Sequence, residues 1–139
     1  MFTLDELTEA SGGYFSGGVS NGRVKGISID SRTLKPGDAF IAVKGDNFDG
    51  HDFVGQAIKR GAKAVIVTSH KSQVTSHKLP VIKVKDTTKA LGDIARFHRR
   101  RFDIPVIAVT GSNGKTTTKD MAAHVLSNNF KVLKNEGTK

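Results

Sequence analysis

Short apolar runs alternate along the chain with mixed segments in which hydrophobic residues recur at helical spacing. Apolar runs bounded by glycine, proline or charged residues are typical of buried strands, and the mixed segments are typical of amphipathic helices. The predicted strands cover residues 24–29, 39–43, 64–67, 81–84, 106–110 and about 131–133. Because strands and helices follow one another in turn, the sequence predicts an α/β fold.

Start and stop signals mark the predicted helices. Thr3 and Glu6 have the spacing of a capping box for a helix over residues 4–10, and Gly12-Gly13 ends it. We expect Phe2 and Leu7 to form the hydrophobic staple around this start. The other predicted helices run from the cap Asp52 to Gly61, from the cap Asp86 into the arginine cluster at 98–101, and over 115–127.

The segment Asp103-Ile104-Pro105 is the best candidate for a domain boundary, because a new strand is predicted directly after it. Residues 1–103 then form a small α/β domain, and residues 104–139 hold a strand, a helix and a second strand. One such unit does not make a sheet, so we expect the sequence to be the opening part of a longer protein. The polar segment 69–78 is predicted to be a surface loop.

Composition excludes several classes of protein. The chain has 139 residues, of which 37% are hydrophobic, enough for a buried core. It contains no cysteine, so disulfides and cysteine-based catalysis or metal sites are excluded. No signal peptide and no apolar run long enough to cross a membrane is visible, and we therefore predict a cytoplasmic protein.

The formal net charge of +9 indicates an anionic partner. One interpretation is nucleic acid, but there is no tryptophan and only one tyrosine to stack on bases. We favour two other interpretations: the charge serves anionic nucleotide substrates, or acidic parts of a longer protein balance it. The arginine cluster at 98–101 also has a structural explanation, because positive charge suits the C-terminal end of a helix.

A glycine-rich turn follows the predicted strand 106–110 and opens the predicted helix 115–127. Glycines let successive backbone N–H groups turn toward one anion, and the helix N-terminus adds further donors. Lys115 supplies a positive charge and Thr116 a hydroxyl able to ligate Mg²⁺. The leading glycine is Gly111, so the loop is shorter than the common phosphate-binding motif, and a solvated turn is the alternative. The expected phosphate-binding residues are Gly111, Ser112, Asn113, Gly114, Lys115, Thr116 and Thr117.

Four segments together resemble the Mur ligases, the ATP-dependent enzymes that add amino acids to the peptide of the bacterial wall precursor. The segments that carry the resemblance are 26–32, 35–42, 49–53 and 109–118. The last of these alone would also suit folylpolyglutamate synthases. The resemblance implies a fold in which a small N-terminal α/β module, residues 1–103, binds a UDP-linked precursor. It also implies that residues 104–139 begin the ATP-binding P-loop domain with its first βαβ unit.

The resemblance implies an ATP-dependent carboxylate–amine ligase that works through an acyl phosphate, with ATP and Mg²⁺ as cofactors. Lys115 is then the catalytic residue, residues 111–117 bind ATP, and Thr116 holds Mg²⁺. The residues that correspond to contacts with the uridine diphosphate are Ile29, Ser31, Arg32, Asp46, Asn47 and Phe48. Ordinary turn chemistry is the alternative explanation for these polar residues. His51 is interpreted as structural, because no nucleophile is arranged around it.

Within the family, Lys119-Asp120-Met121 and the segment 135–139 look most like the member that adds D-alanyl-D-alanine to UDP-N-acetylmuramoyl-tripeptide. Two alternatives stay open: a relative that adds D-glutamate or a diamino acid, and a non-catalytic module that binds the UDP precursor. The implied partners are these small molecules, with no nucleic acid and no membrane. The full-length protein is expected to be a monomer, and this chain alone is expected not to turn over ATP.

Overall fold

The computed structural model describes residues 1–17, 22–69 and 79–136. It divides into two compact units, Met1–Phe102 and Asp103–Lys139. This division lies one residue before the boundary expected from the sequence. The binding roles assigned to the two parts stay predictions.

A five-stranded mixed sheet forms the centre of the first unit, with the strand order β2-β7-β6-β5-β4. The strands are β2 Tyr14–Phe15, β4 Ile27–Ser28, β5 Ala39–Ile41, β6 Ala64–Thr68 and β7 Val81–Val84. The last four strands run parallel, and only β2 is antiparallel to its neighbour. β5 is buried throughout and β6 is buried except at its last residue. Such continuous apolar strands are typical of parallel sheets covered on both faces.

Helices cover both faces of this sheet. α1 Leu4–Ser11 and α3 Thr87–Arg99 contribute to one hydrophobic cluster, and α2 Val54–Lys59 contributes to a second. Successive residues of β6 divide between the two clusters, because side chains alternate across a strand. The predicted α/β class is therefore confirmed. Within the described residues, no helix is long and apolar enough to cross a membrane.

The predicted start signals of α1 and α3 are confirmed. Thr3 Oγ1 accepts from the Glu6 backbone N–H at 3.1 Å, and a Glu6 carboxylate oxygen accepts from the Thr3 N–H at 2.8 Å. Gly12 ends α1 in the left-handed conformation. Asp86 Oδ1 accepts from the Lys89 N–H at 2.9 Å and so caps α3.

The single strand expected over residues 24–29 is wrong. The chain forms two short strands there: β3 Arg23–Val24 pairs antiparallel with β1 Phe2–Thr3, while β4 belongs to the main sheet. The break lies at Lys25, whose N–H donates to the Gly37 carbonyl at 2.9 Å. Pairing with two different partners therefore divides a run that looks continuous in the sequence.

The expected cap Asp52 is also wrong. A 3₁₀ turn, Gly50–Phe53, precedes α2, and Asp49 caps this turn by accepting from the His51 N–H at 3.0 Å. Helical structure therefore begins at Gly50, three residues earlier than the sequence indicates, because Asp49 and not Asp52 supplies the side chain that caps the first N–H groups. Of the predicted surface loop 69–78, all but Ser69 lies outside the described residues.

The second unit contains α4 Lys115–Leu126, as predicted to within one residue. The two strands expected at 106–110 and 131–133 are wrong, since the structure assigns no strand within residues 103–136. Val106 and Ile107 are 64% and 65% exposed. A strand needs a hydrogen-bonded neighbour and an apolar surface to cover one face. The described part of this unit offers a single helix with one buried residue, Ala123, which provides neither.

Gly50 lies where the backbone of the 3₁₀ turn before α2 packs closely against the segment that follows β5. A Cβ at this position would lie 2.6 Å from the Val43 carbonyl oxygen and 2.7 Å from the Val43 nitrogen. We expect Gly50→Ala to lower the free energy of unfolding by about 1–3 kcal/mol, because backbone atoms cannot give way as a side chain can. Urea denaturation followed by circular dichroism measures this change.

Gly55→Ala in α2 is the matched control. A Cβ there meets no atom within 4 Å, and alanine favours the helix over glycine by roughly 0.5–1 kcal/mol. This variant is expected to be as stable as the wild type or more stable. Equal destabilisation by both substitutions would contradict the close approach at Gly50.

Candidate functional site

The residues predicted to contact a uridine diphosphate lie at one edge of the sheet. Ile29, Ser31 and Arg32 follow the carboxyl end of β4, and residues 46–48 follow the carboxyl end of β5. β4 and β5 are parallel neighbours, so both segments leave the sheet at the same edge. Ligands of open α/β sheets bind outside this edge.

Ser31 is the most buried of these residues, with 4% of its surface exposed. Its Oγ donates to Gln56 Oε1, in α2, at 2.6 Å. The hydroxyl hydrogen is thereby used, and the lone pairs of the oxygen remain able to accept. Ser31 is therefore set up as an acceptor at this edge, with Gln56 fixing the direction of its hydroxyl group.

Arg32 is held by a bidentate ion pair. Its Nε donates to Asp30 Oδ1 at 3.0 Å and its Nη2 to Asp30 Oδ2 at 2.9 Å. The hydrogen bond from the Arg32 side chain, helped by its backbone N–H, lowers the pKa of Asp30 to about 2. The hydrogen bond with the Asp30 carboxylate in turn raises the pKa of Arg32. The guanidinium group is thus presented in a fixed orientation on an exposed turn.

The segment after β5 forms a short loop with a closed base. A backbone bridge joins Lys44 to Asp49, and the Gly45 N–H donates to the Phe48 carbonyl at 2.9 Å. Asp46 and Asn47 at the tip are exposed, and Phe48 is 73% exposed. The loop therefore presents polar groups and an aromatic ring to solvent.

His51 joins the base of this loop to the end of β6. The side chain of His51 is 5% exposed, and its Nδ1 lies 2.5 Å from Asp49 Oδ1. Its Nε2 accepts from the Thr68 backbone N–H at 3.0 Å. Sequence reasoning missed the partners Gln56 and Thr68. They lie 25 and 17 residues from Ser31 and His51, and no local pattern signals such contacts.

The glycine-rich turn of the second unit has the backbone that a phosphate-binding loop needs. Gly111 has φ +150° and Gly114 has φ +76°, conformations that favour glycine. α4 begins directly after Gly114, and no side chain caps it. Its first turn, residues 115–117, therefore has backbone N–H groups without an acceptor inside the helix. These donors and the positive end of the helix dipole suit an anion.

Lys115 lies across this turn. Its Nζ donates to the carbonyl oxygens of Gly111 and, at 3.3 Å, of Ser112. The side chain thus returns toward the start of the loop, so its ammonium group lies beside the backbone that precedes the helix. Thr116 is exposed. Among the described residues, no cluster of three or more His, Cys, Asp or Glu side chains could hold a metal ion.

Two family descriptions match the chain. Residues 23–99 match "Mur ligase family, catalytic domain", and residues 109–139 match "Mur ligase middle domain". The first match alone covers more than half of the sequence and contains the whole candidate edge of the sheet. The second contains the glycine-rich turn and α4.

Curated relatives carry the names of two Mur ligases. The UDP-N-acetylmuramoyl-tripeptide--D-alanyl-D-alanine ligase of Synechocystis is 47% identical over 76% of this chain and 23% of its own length. The enzyme of the same name from Escherichia coli is 40% identical over 90% of the chain and 26% of its own length. The UDP-N-acetylmuramoyl-L-alanyl-D-glutamate--2,6-diaminopimelate ligase of Aquifex aeolicus is 46% identical over 75% of the chain and 21% of its own length. The chain thus spans about a quarter of these relatives.

Solved structures agree with the sequence relatives. MurF from Acinetobacter baumannii superimposes with a TM-score of 0.81 at 36% identity, over 92% of this chain and 28% of that one. MurF from Thermotoga maritima, solved in complex with ADP, gives a TM-score of 0.70 at 38% identity, over 80% of this chain and 25% of that one. With the two family matches and this fold, the chain belongs to the Mur ligase family.

Proposed function

We propose that this protein acts in peptidoglycan precursor synthesis as the ATP-dependent ligase that joins D-alanyl-D-alanine to UDP-N-acetylmuramoyl-tripeptide. Residues 1–102 bind the UDP end of the precursor, and the second unit binds ATP. The observation that carries the proposal is the turn 111–114 ahead of α4, with two glycines at positive φ and Lys115 folded over it. The names of the relatives support the choice of substrates. A cytoplasmic location and a monomeric state belong to the same proposal.

The donors of the second unit fit a nucleoside triphosphate. The backbone N–H groups at the start of α4 and the Lys115 ammonium group supply positive charge on one side of the turn. Thr116 offers the one hydroxyl that we assign to Mg²⁺, and the nucleotide phosphates would supply other ligands. When bound, Mg²⁺ would supply charge neutralisation of the phosphates, which would ease the approach of the precursor's carboxylate. Lys115 and the turn hold the phosphate chain in position for that approach.

The edge of the sheet suits a uridine diphosphate. Arg32, already oriented by Asp30, offers a planar set of donors to phosphate oxygens. Ser31 donates its hydroxyl hydrogen to Gln56 and so has its oxygen lone pairs left to accept from the ligand, and the loop 46–48 adds polar groups and an aromatic face. Ile29 is 55% exposed and adds apolar surface for the base. Together these groups suit the charged diphosphate, the polar ribose and the flat uracil base of the ligand.

A second candidate function is the addition of a diamino acid. The Aquifex aeolicus relative, named as a 2,6-diaminopimelate ligase, is 46% identical over 75% of the chain. The two candidates share the UDP end of the substrate and differ in the length of its peptide. Calorimetry with the UDP-linked dipeptide and tripeptide distinguishes them if this chain contacts the peptide.

A DNA oligomer, whose binding would depend steeply on salt, tests the nucleic-acid alternative.

We expect this chain to bind UDP, and Arg32→Ala to weaken binding about tenfold, since a charged hydrogen-bond donor to phosphate is lost. Isothermal titration calorimetry measures the change. Arg96→Ala is the matched control: it removes the same charge from an exposed site in the C-terminal half of α3. Equal losses for both variants would indicate a nonspecific charge effect and contradict the site.

Titration of Asp30 tests the orientation of Arg32. The folded-state pKa of Asp30 is lowered to about 2 from an ordinary value of 3.8. The ion pair therefore stabilises the fold above the ordinary value and is lost as the pH falls through about 2. NMR of the carboxyl carbon is expected to show this low midpoint, and Arg32→Ala is expected to raise it toward 3.8. An ordinary midpoint in the wild type would rule out the pair.

For the second unit, we expect Lys115→Ala to weaken binding of Mg·ATP at least about tenfold, because the ammonium group no longer meets the phosphates. Fluorescence anisotropy with a labelled ATP analogue measures the affinity. Lys131→Ala is the control, since it removes an equal charge from an exposed position of the same unit. Unchanged affinity in Lys115→Ala would refute the assignment of the turn to ATP.

A further inference from the structure

The structure contains a buried imidazole for which the proposed function has no role. The side chain of His51 is 5% exposed and lies between the base of the loop 44–49 and the last residue of β6. We propose that His51 is a positioning residue, which holds this loop in the shape that receives the uridine diphosphate. The inference rests on the proposed UDP site and adds a residue that does not itself contact the ligand.

The contacts of His51 fix its tautomer. The Thr68 backbone N–H can only donate, and it points at Nε2 from 3.0 Å. Nε2 must therefore accept, which places the ring proton on Nδ1. Nδ1 lies 2.5 Å from Asp49 Oδ1 and donates to it. The neutral ring thus connects a backbone donor of β6 to a carboxylate of the loop, and both of its nitrogens are satisfied.

The described backbone contacts of the loop lie between its base residues and just inside its tip. Asp49 ends the loop, pairs with Lys44 across its base, and accepts from the His51 backbone N–H at 3.0 Å. The Gly45 N–H donates to the Phe48 carbonyl, and the tip side chains are exposed. The loop is therefore held at its base, and the Asp49–His51–Thr68 chain of hydrogen bonds, here called the loop brace, attaches that base to β6.

The position of the loop brace matters for binding rather than for the core. His51 belongs to neither hydrophobic cluster. If the brace is removed, the tip is free to sample more positions, and ordering it around a ligand then opposes binding. Because Asp49 and His51 share one side-chain connection, the double variant is expected to bind no more weakly than the weaker of the two single variants.

The test is UDP binding by the intact chain, measured by calorimetry for a double-mutant cycle. His51→Ala and Asp49→Ala are each expected to weaken binding about fivefold to twentyfold, and the double variant no further. Asp49→Asn keeps an acceptor for Nδ1 and is expected to stay within about threefold of the wild type. Additive losses, or an Asn variant as weak as the Ala variant, would overturn the brace.

Loss of stability is separated from loss of positioning by a core variant. Val54→Ala removes apolar contacts in the second cluster and leaves the brace in place. We expect it to lower the free energy of unfolding without changing the affinity of the folded protein for UDP. If Val54→Ala weakens UDP binding as much as His51→Ala does, the effect of His51 is general stability and the inference fails.

NMR gives a readout that does not need the ligand. Nitrogen shifts of the His51 ring are expected to show a protonated Nδ1 and an unprotonated Nε2 in the free protein. Relaxation of the Asn47 amide is expected to show faster motion in His51→Ala. The opposite tautomer, or unchanged motion, overturns the brace. If the wild type shows the expected tautomer, the variant shows the faster motion, and the wild type still does not bind UDP, the proposed function fails while the brace stands.

Discussion

The parallel pairing of β4, β5, β6 and β7 is the constraint on which the first unit depends. Parallel strands all end at the same edge, so the segments that follow them meet there without any further device. The strands can pair in this way because helices bury both faces of the sheet, which gives the central strands apolar side chains on each side. Core and candidate site are thus two consequences of one arrangement.

The second unit relies on a different principle. Its candidate site comes from consecutive residues: two glycines that allow positive φ, a lysine that folds back, and a helix start without a side-chain cap. None of these needs a sheet. The turn therefore has both glycines at positive φ ahead of α4 although residues 106–110, which precede it, are not paired as a strand.

This difference explains what could be predicted from the sequence. Three local signals were correct and one, the cap Asp52, was wrong. The capping box at Thr3, the cap Asp86 and the helix at 115–126 depend on residues within four positions of one another. The division of the predicted strand at Lys25 depends on Gly37, a partner twelve residues away. Likewise, the resemblance indicated Ser31 as a contact but could not show that Gln56 orients it, because folding alone brings them together.

The position of Lys115 has one more consequence. Its ammonium group rests on carbonyl oxygens of the turn, so it has already exchanged part of its hydration shell for protein oxygens. A phosphate bound as proposed would replace one set of oxygen acceptors by another of higher charge. Part of the desolvation that a fully hydrated lysine would undergo in the proposed binding has thus taken place in the folded chain beforehand.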